Sequence, residues 1–581
     1  MEILLVAINA KYIHSNLGVF ALKSYVKEQG YEVSMKEYTI NHNIDAILED
    51  IYMKKPGVVA FSCYLWNISY VNELVKELHR LLPQTEIWLG GPEVSYDAME
   101  HMEKYPEIKG IMIGEGELTF LDVCKHYCGE MDLSEINGIV YRNESGKVLA
   151  THERECMNLD DLPFPYPNLE EMKNRILYYE SSRGCPFSCS YCLSSVDRKL
   201  RFKSLPKVFE ELQMFIDARV PQVKFVDRTY NAKVEHALAI WNYIKEHDNG
   251  ITNFHFEIAA DILREEEIEC LKTMRPGLVQ LEIGVQSTNR RTIEEIHRVM
   301  DVKKVAGVTS ELKQAENMNL HLDLIAGLPY EDYKTFQKSF DDLHEMRPHQ
   351  LQLGFLKVLK GSYMAEHIDE YELLYHNRPP YEVLRTKWIS FDEIIALKEV
   401  EQMVETYYNS NQFSTLIGLC MYLRKQHYGQ ENAYRFYEEV AQYYKKNGYF
   451  GMQHARIKRY EILLSYILEK KKLPGNEYSE WDEELFIQAA VFDLYLRENM
   501  KSRPGFAKEL GREGKECRKK FGIKRHMEEF SYDFTEGEFY RFNQMPKKEQ
   551  NIMTFYYEQK NPITGNVYVE RECDDKEREN A

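Results

Sequence analysis

Three cysteines in one short stretch constrain this chain more than any other feature. Cys185, Cys189 and Cys192 follow a C-x3-C-x2-C spacing within residues 182–194, just after the strand-like run Ile176–Tyr179. Three such thiolates can wrap one iron–sulfur cube, because sulfur ligands suit iron and the spacers have the length of turns. Three ligands leave one iron of a four-iron cube open, as at a working rather than a structural metal site. A zinc knuckle is the alternative, but no fourth Cys or His lies within a dozen residues after Cys192.

The neighbours of the cysteines make the loop more specific. Arg183-Gly184 precedes the first cysteine and Tyr191 precedes the last. With them the loop resembles the radical S-adenosylmethionine (SAM) superfamily. The resemblance implies a [4Fe-4S] cluster on the three cysteines, with Tyr191 in the cofactor site and SAM chelated at the open iron. An electron from the cluster then cleaves SAM and releases a 5′-deoxyadenosyl radical, while the protein supplies binding, orientation and exclusion of water.

Composition limits the partners and the compartment. In 581 residues, 74 Lys and Arg against 93 Asp and Glu give a net charge of −19, which disfavours a broad nucleic-acid surface. No run approaches the length of a membrane span, and the apolar start at 1–8 lacks a basic leader. Eleven cysteines in a chain this long are not a disulfide framework, and a labile cluster needs a reducing compartment. We expect a cytoplasmic protein from an anaerobic setting.

Residues 1–130 predict a doubly wound α/β domain of five strand–helix units. Buried strands are expected at Glu2–Ile8, Val58–Phe61, Glu86–Leu89 and Lys109–Ile113, and amphipathic helices alternate with them. The ligand of such a domain lies outside the carboxyl ends of the strands.

Those strand ends are rich in glycine and carry Gly-Gly-Pro-Glu and Gly-Glu-Gly-Glu turns. Glycines let the backbone approach a large flat ligand, although tight turns use them in any case. Placed before the cysteine loop, the segment resembles the cobalamin-binding domain of cobalamin-dependent radical SAM proteins. The resemblance implies bound cobalamin, with these candidate contacts: Ser62, Trp66, Gly90, Gly91, Glu93, Ser95, Gly114, Glu115, Gly116 and Glu117.

Two features of this segment depart from simple expectations. The Asp-x-His-x-x-Gly loop that supplies a cobalt ligand in cobalamin mutases is absent from residues 9–18. We therefore expect the cobalt to lack a protein histidine and His14 to be a capping or surface residue. Cys124 and Cys128 repeat part of the cysteine spacing on a predicted helix, where core packing is the usual role of a free thiol.

Residues 131–170 predict a hairpin at Ile136–Thr151 and a stiff proline-rich linker. Residues 171–365 resume the strand–helix alternation. Strands are expected at 176–179, 223–226, 254–258, 279–285, 320–325 and 350–355, separated by helices near 204–218, 234–247, 264–273, 290–298 and 332–346. Six units suit the partial (β/α)6 barrel of the superfamily, with the active site at the carboxyl ends of the strands.

Polar residues at those ends are the candidates for binding SAM. The resemblance implies that Asp227 meets the SAM amino group, that Glu257 and Gln286 line the ribose and methionyl groups, and that Gly327 lets the backbone approach the adenine. Arg228 stands where relatives often have a second acid, and we expect it to face a carboxylate of SAM or of the substrate. Ordinary strand-end polar residues and turn glycines are the alternative at each position.

Residues 366–570 predict an all-α domain with helices at 391–408, 413–425, 432–446, 454–469 and 482–497. It is similar to the C-terminal domain of unknown function found in some relatives. Seven Lys or Arg against two Glu in 512–525 predict a solvated face. Residues 571–581 are expected to be disordered.

These patterns favour a radical SAM enzyme that methylates an unactivated carbon with cobalamin as methyl carrier. A cobalamin-dependent rearrangement or cyclisation shares every motif, and a corrinoid or redox sensor is the alternative from another class. Acidic charge and the lack of an evident RNA-binding appendage argue against tRNA modification. Expected partners are a small-molecule or peptide substrate and a flavodoxin- or ferredoxin-type electron donor. The substrate stays open.

Overall fold

The computed structural model describes residues 2–535 and 544–572. The chain divides into two compact units. The first contains residues up to 282 together with 293–300 and 355–387, and the second contains the remaining described residues.

The first unit begins with alternating strands and helices. They are β1 (Ile3–Asn9), α1 (Leu17–Glu28), β2 (Ser34–Thr39), α2 (Ile44–Lys54), β3 (Val58–Ser62), α3 (Ile68–Leu81), β4 (Glu86–Gly90), α4 (Pro92–Ser95), α5 (Ala98–Lys104), β5 (Ile108–Met112), α6 (Gly116–Tyr127), β6 (Ile139–Arg142) and β7 (Val148–Ala150). The seven strands form one sheet in the order β2-β1-β3-β4-β5-β6-β7. Strands β1 to β5 run parallel, which confirms the predicted doubly wound domain.

Burial explains which strands the sequence predicts. All seven residues of β1 are buried, so β1 reads as a continuous apolar run. The edge strand β2 is half-buried over Ser34–Glu37. Its polar residues interrupt the apolar run by which a strand is recognised in a sequence. The predicted hairpin forms as β6 and β7, and it adds two antiparallel strands to the first sheet rather than standing in the linker. On α6, Cys124 is buried as predicted, but Cys128 is exposed, so its predicted core role is wrong.

The next part of the chain holds six longer strands. Its elements are β8 (Ile176–Tyr179), β9 (Ser182–Arg183), β10 (Arg201–Phe202), α7 (Leu205–Asp217), β11 (Gln222–Phe225), α8 (Val234–Glu246), β12 (Asn253–Ile258), α9 (Glu265–Lys272), β13 (Val279–Gln286), α10 (Arg290–Glu295), α11 (Val302–Gln314), β14 (Asn319–Ala326), α12 (Tyr333–Glu345), β15 (Gln350–Phe355), α13 (Tyr363–Glu366), β16 (Leu374–Tyr375) and β17 (Val383–Arg385).

These strands confirm the predicted barrel sheet. The six longer strands form one sheet in chain order, β8-β11-β12-β13-β14-β15, and β8, β11 and β12 pair in parallel. Each predicted strand is present. The sequence analysis missed α11, although its buried residues Val305, Val308 and Leu312 follow helical spacing.

The second unit continues with the C-terminal region. It contains α14 (Phe391–Val404), a π-helical turn (Glu405–Asn409), α15 (Ser414–Tyr428), α16 (Ala433–Lys446), α17 (Arg456–Lys471), α18 (Glu483–Arg497), α19 (Arg512–Phe521), β18 (Arg525–Tyr532), β19 (Lys548–Lys560) and β20 (Val567–Glu572). The predicted helices form, and the cationic side chains of α19 are exposed as expected.

The prediction that residues 366–570 are all-α is wrong at both ends. Strands β16 and β17 pair near the start, and β18, β19 and β20 form a three-stranded antiparallel sheet. In β18 the buried positions include His526 and Glu528, and these polar residues mask the apolar alternation that marks a strand. Of the predicted disordered tail, residues 571–572 end β20 and the rest lies outside the described residues.

Within residues 2–535 and 544–572, no helix is both long enough and apolar enough to cross a bilayer.

Candidate functional site

A cavity of about 740 Å³ opens at the carboxyl edge of the first sheet. We call it the sheet-edge cavity. Its floor is the sheet, through Leu5 and Ala60, and it extends between α1 and α6. Its volume is in the range of small-molecule and cofactor sites. The structure brings together eight of the ten predicted cobalamin contacts around it: Ser62, Gly90, Gly91, Ser95, Gly114, Glu115, Gly116 and Glu117.

Two glycines keep the wall of this cavity open. Gly91 has φ +111°, and a Cβ there would lie 2.5 Å from the carbonyl oxygen of Cys63. A Cβ on Gly116 would lie 3.0 Å from the Leu22 side chain of α1. A side chain at either position would have to push neighbouring atoms aside, so glycine is needed to keep the backbone of this wall in place.

The other two predicted contacts lie elsewhere. Trp66 is 44% exposed, stacks on Tyr64 with ring centroids 4.5 Å apart, and donates from its indole N–H to the carbonyl of Ile8 at 3.0 Å. It lines a second cavity. Glu93 is buried and lines neither, because its carboxylate accepts the Tyr381 hydroxyl at 2.5 Å and lies 3.5 Å from the Lys360 ammonium. The Glu93 carboxylate is thus bound by Tyr381 and Lys360, and its predicted cofactor contact stays a prediction.

The second cavity, of about 550 Å³, lies where the loop after β1 meets the strands of the barrel. We call it the barrel-mouth cavity. Its walls include Trp66, the linker prolines, Tyr178, Arg228 and Glu257. Gly18, Tyr64 and Glu117 line both cavities, so the two are neighbours.

His14, which was expected to be a capping or surface residue, is partly buried and helps to join the first domain to the barrel. Its ring Nδ1 and the Tyr178 hydroxyl are hydrogen-bonded at 2.8 Å, and both side chains line the barrel-mouth cavity. Burial is the main cause that lowers the pKa of His14, and the cations Lys11 and Lys224 add to it. The backbone of Ile176 in β8 donates to the carbonyl of Ile13 at 2.7 Å, which fixes this junction.

The three cysteines lie on a loop that the fold closes at its base. Strands β9 and β10 pair on either side of it, and Gly184 has φ +90° with Lys199 so close that no Cβ fits. Cys185 and Cys189 are buried, and Cys192 is partly exposed. Leu193, directly after the last cysteine, lines the sheet-edge cavity.

A cation that the sequence analysis missed lies beside these thiols. Arg298 donates to the Cys189 sulfur at 3.7 Å and to the Tyr191 hydroxyl at 3.1 Å. Burial raises the pKa of the Cys189 thiol, while Arg298 opposes that shift. Two buried thiols, a third nearby and an adjacent guanidinium are a donor set suited to an iron–sulfur cluster, whose thiolate ligands carry negative charge. Arg298 lies more than a hundred residues from the cysteine loop, so no local spacing marks it.

Asp227 lies two residues after the end of β11, at the predicted strand end, and its carboxylate is buried. It is 2% exposed and lines neither cavity. Its carboxylate accepts the backbone N–H of Ser181 at 3.0 Å and the hydroxyls of Ser181 and Ser182 at 2.6 Å. Burial raises its pKa to about 6 although these donors oppose the shift. Asp227 therefore holds the segment that enters the cysteine loop, and its predicted contact with the SAM amine stays a prediction.

Charged residues from the barrel strands face the barrel-mouth cavity. Glu257 lies 3.7 Å from both Lys224 and Arg228, and Lys224 also lies 2.9 Å from Glu282. Burial opposes a raised pKa of Lys224, but these two acids raise it overall. The structure places Glu257 at the predicted strand end, and it adds Lys224, which sequence reasoning missed because it lies within the strand.

Gln286 and Gly327 belong to the second unit. Gln286 ends β13 with φ +71°, and Gly327 follows β14 with φ +89°. Their predicted contacts with SAM stay predictions.

Three sequence families match successive parts of the chain. They are the B12 binding domain over residues 3–123, the Radical SAM superfamily over 179–343, and a protein family of unknown function, DUF4080, over 369–571. The chain thus contains a B12-binding domain, a radical SAM domain and a DUF4080 domain, in that order.

Curated proteins and solved structures resemble this chain over much of its length. The cobalamin-dependent radical SAM methyltransferase TokK of Streptomyces tokunonensis is 24% identical over 443 residues, which cover 67% of this chain and 62% of TokK. The match thus spans less than two thirds of that relative. The cobalamin-dependent SAM radical enzyme OxsB, solved with aqua-cobalamin, superimposes with TM-score 0.57 and 17% identity over 85% of this chain and 79% of OxsB.

A second solved relative is the radical SAM methyltransferase TsrM from Kitasatospora setae, solved with cobalamin and a [4Fe-4S] cluster. It superimposes with TM-score 0.54 and 15% identity over 64% of this chain and 78% of TsrM. At these identities the two structural likenesses establish a shared fold.

Proposed function

We propose that this radical SAM protein cleaves SAM with a [4Fe-4S] cluster and uses bound cobalamin to methylate an unactivated carbon of a small-molecule substrate. One observation carries the proposal: the cysteine loop borders the same cavity that the glycine-rich strand ends form. Leu193, Val196 and Asp197, which follow the last cysteine, line the sheet-edge cavity together with Gly90 and Gly91.

Each group has residues suited to hold it. Cys185, Cys189 and Cys192 would bind the cluster, and the sheet-edge cavity would bind cobalamin. When bound, the cluster supplies the electron that cleaves SAM, and cobalamin supplies a transferable methyl group. Burial of Cys185 and Cys189 would keep water away from their sulfurs when the cluster is bound. The neighbouring Arg298 would offset the negative charge of those sulfurs.

The barrel-mouth cavity supplies the place for the substrate. It shares Gly18, Tyr64 and Glu117 with the sheet-edge cavity, so a carbon held there lies next to the site of the methyl donor. Proximity of this kind lowers a barrier by removing the entropy cost of bringing reactants together. The names of the relatives support methyl transfer: TokK and TsrM are both methyltransferases.

The proposal includes a partner and a compartment. Reduction of the cluster requires an electron donor of the flavodoxin or ferredoxin type, and a labile cluster requires a reducing cytoplasm.

An anaerobic preparation tests the function directly. Protein purified with cobalamin supplied and with its cluster reconstituted is analysed for iron and corrinoid, and then mixed with SAM and a reductant. We expect bound corrinoid and formation of 5′-deoxyadenosine. Cys189→Ala is the control, and it should retain the corrinoid and form no 5′-deoxyadenosine.

Other outcomes would redirect the proposal. Cleavage without bound corrinoid would leave a radical SAM enzyme that does not use cobalamin. Bound corrinoid without cleavage would favour a sensor. Once a substrate is found, a product without the mass of one added methyl group would favour a rearrangement or cyclisation.

A further inference from the structure

The base of the cysteine loop places two arginines opposite each other. In the β9–β10 ladder, Arg183 pairs in register with Arg201. Cross-strand partners lie on one face of a ladder, and like charges directly opposite destabilise it. Both guanidiniums are mostly buried, with side chains 16% and 13% exposed. Two buried arginines side by side are stable only if nearby carboxylates balance their positive charge.

The carboxylates come from the Gly-Glu-Gly-Glu turn that ends β5. Glu117 accepts from the Arg183 guanidinium at 2.5 Å. Glu115 lies 3.5 Å from Arg183 and accepts a close hydrogen bond from Arg201. A third acid, Glu180, accepts from Arg183 at 2.8 Å.

This turn also lines the sheet-edge cavity. All four of its residues, 114–117, belong to the wall. The second carboxylate oxygen of Glu115 accepts the backbone N–H of Met157 at 3.2 Å, and Arg201 donates to the Met157 carbonyl at 3.1 Å. The connector just before Met157 lines the cavity as well. The same ion pairs therefore tie three segments together: the cavity turn, the connector and the base of the cysteine loop.

We propose that Glu115 and Glu117 are not cofactor ligands but, with Arg183 and Arg201, form a clamp that fixes the cysteine loop against the wall of the sheet-edge cavity. The inference rests on the proposed function, since it assigns the clamp the task of setting the position of the cluster relative to cobalamin. All four are positioning residues. Removing Arg183 takes away the cation that contacts both Glu117 and Glu180, and removing Glu117 takes away one of the acids around Arg183, so the loop and the turn separate or rearrange.

Arg183→Gln and Glu117→Gln break the clamp from opposite sides. Arg175→Gln is the matched control, because Arg175 and Glu37 also join the barrel to the first domain at 2.5 Å with similar burial, and neither touches the cysteine loop. Iron and corrinoid per chain, 5′-deoxyadenosine formation, and the magnetic interaction between Co(II) and the reduced cluster by EPR are measured for each variant in the full-length protein.

We expect both clamp variants to retain iron and to lose at least tenfold in 5′-deoxyadenosine formation or corrinoid affinity, the size of effect typical of residues that support metal ligands. Their cluster–cobalt EPR interaction should differ from wild type. The control should stay within twofold of wild type with an unchanged EPR interaction. Arg183→Lys should recover part of the loss, because lysine restores the positive charge but not the paired hydrogen-bond donors of the planar guanidinium.

The outcomes separate this inference from the function. Clamp variants that match the control in cleavage, corrinoid and EPR interaction would overturn the clamp while leaving the function standing. A wild-type protein without corrinoid or cleavage would overturn the function itself. If Arg183→Gln fails to fold, Glu117→Gln tests the clamp by the same readouts, because glutamine keeps the shape of the glutamate side chain.

Discussion

Replacing Gly91 with alanine is expected to distort the wall of the sheet-edge cavity. Gly91 has φ +111° and ψ 171°, a region that only glycine occupies readily and that costs other residues about 1–3 kcal/mol. The new Cβ would lie 2.5 Å from the Cys63 carbonyl oxygen, about 0.9 Å inside an ordinary contact of 3.4 Å. Relieving such overlap by moving backbone costs about 1–3 kcal/mol more. We expect a total near 4 kcal/mol.

Gly114→Ala is the matched control. Gly114 lines the same cavity and also has a positive φ, +75°, but nothing lies within 4 Å of its Cβ position. Only the cost of the left-handed backbone applies, about 1 kcal/mol. Both variants are measured by urea unfolding and by the cobalamin that coelutes with the protein. We expect Gly91→Ala to lose bound cobalamin and Gly114→Ala to retain it.

The comparison has a clear refuting result. If the two variants agree within about 1 kcal/mol in unfolding free energy and bind equal amounts of cobalamin, steric closure by the Cys63 carbonyl does not control the cavity.

Three further predictions concern buried charges. Asp227→Asn weakens the hydrogen bonds to the two serines before the cysteine loop, so we expect a stability loss of about 1–3 kcal/mol and less iron per chain, with the KM for SAM unchanged. Arg298→Gln removes the cation 3.7 Å from the Cys189 sulfur and should make the midpoint potential of the cluster more negative in an EPR redox titration, since a cation stabilises the reduced cluster. Burial raises the pKa of Glu331 from 4.5 to about 7, so the folded state keeps a proton that the unfolded state releases. The unfolding free energy should therefore fall by about 3 kcal/mol from this group as pH rises from 4.5 through 7, and Glu331→Gln should remove that dependence.

Each of these has an opposite outcome. A raised KM for SAM with normal iron in Asp227→Asn would restore the direct role in binding the SAM amine. An unchanged potential in Arg298→Gln would mean that solvent screens the cation from the cluster. A pH dependence that persists in Glu331→Gln would belong to other acids.

The sequence predicts those features of the fold and the site that are determined by residues close together in the chain. The cysteine spacing identifies the cluster loop because its ligands lie within a few turns of one another, and the buried strands show as continuous apolar runs. Helix α11 has the apolar spacing of an amphipathic helix, although it is not among the predicted elements. The edge strand β2 and the strand β18 were hidden because polar residues occupy positions that the fold buries or leaves at a sheet edge.

The acids at the strand ends show why the site was only partly predictable. Glu93, Glu117 and Asp227 stand where a ligand contact is expected, and each also contacts a distant part of the chain. Glu93 meets Lys360, and Glu117 meets Arg183. Which cation reaches a carboxylate depends on tertiary packing, and no spacing rule encodes a partner that lies tens or hundreds of residues away.

The segment 355–387 affects where the domain boundary of a chimeric protein should be placed. The C-terminal family match begins at residue 369, yet residues up to 387 fold with the first unit. There Tyr371 donates to Glu295 at 2.8 Å and Tyr381 to Glu93 at 2.5 Å. The boundary seen in sequence families is thus not a boundary of folding. A join at 369 would exchange two tyrosines that support the first unit, so a chimera should keep residues 355–387 with that unit.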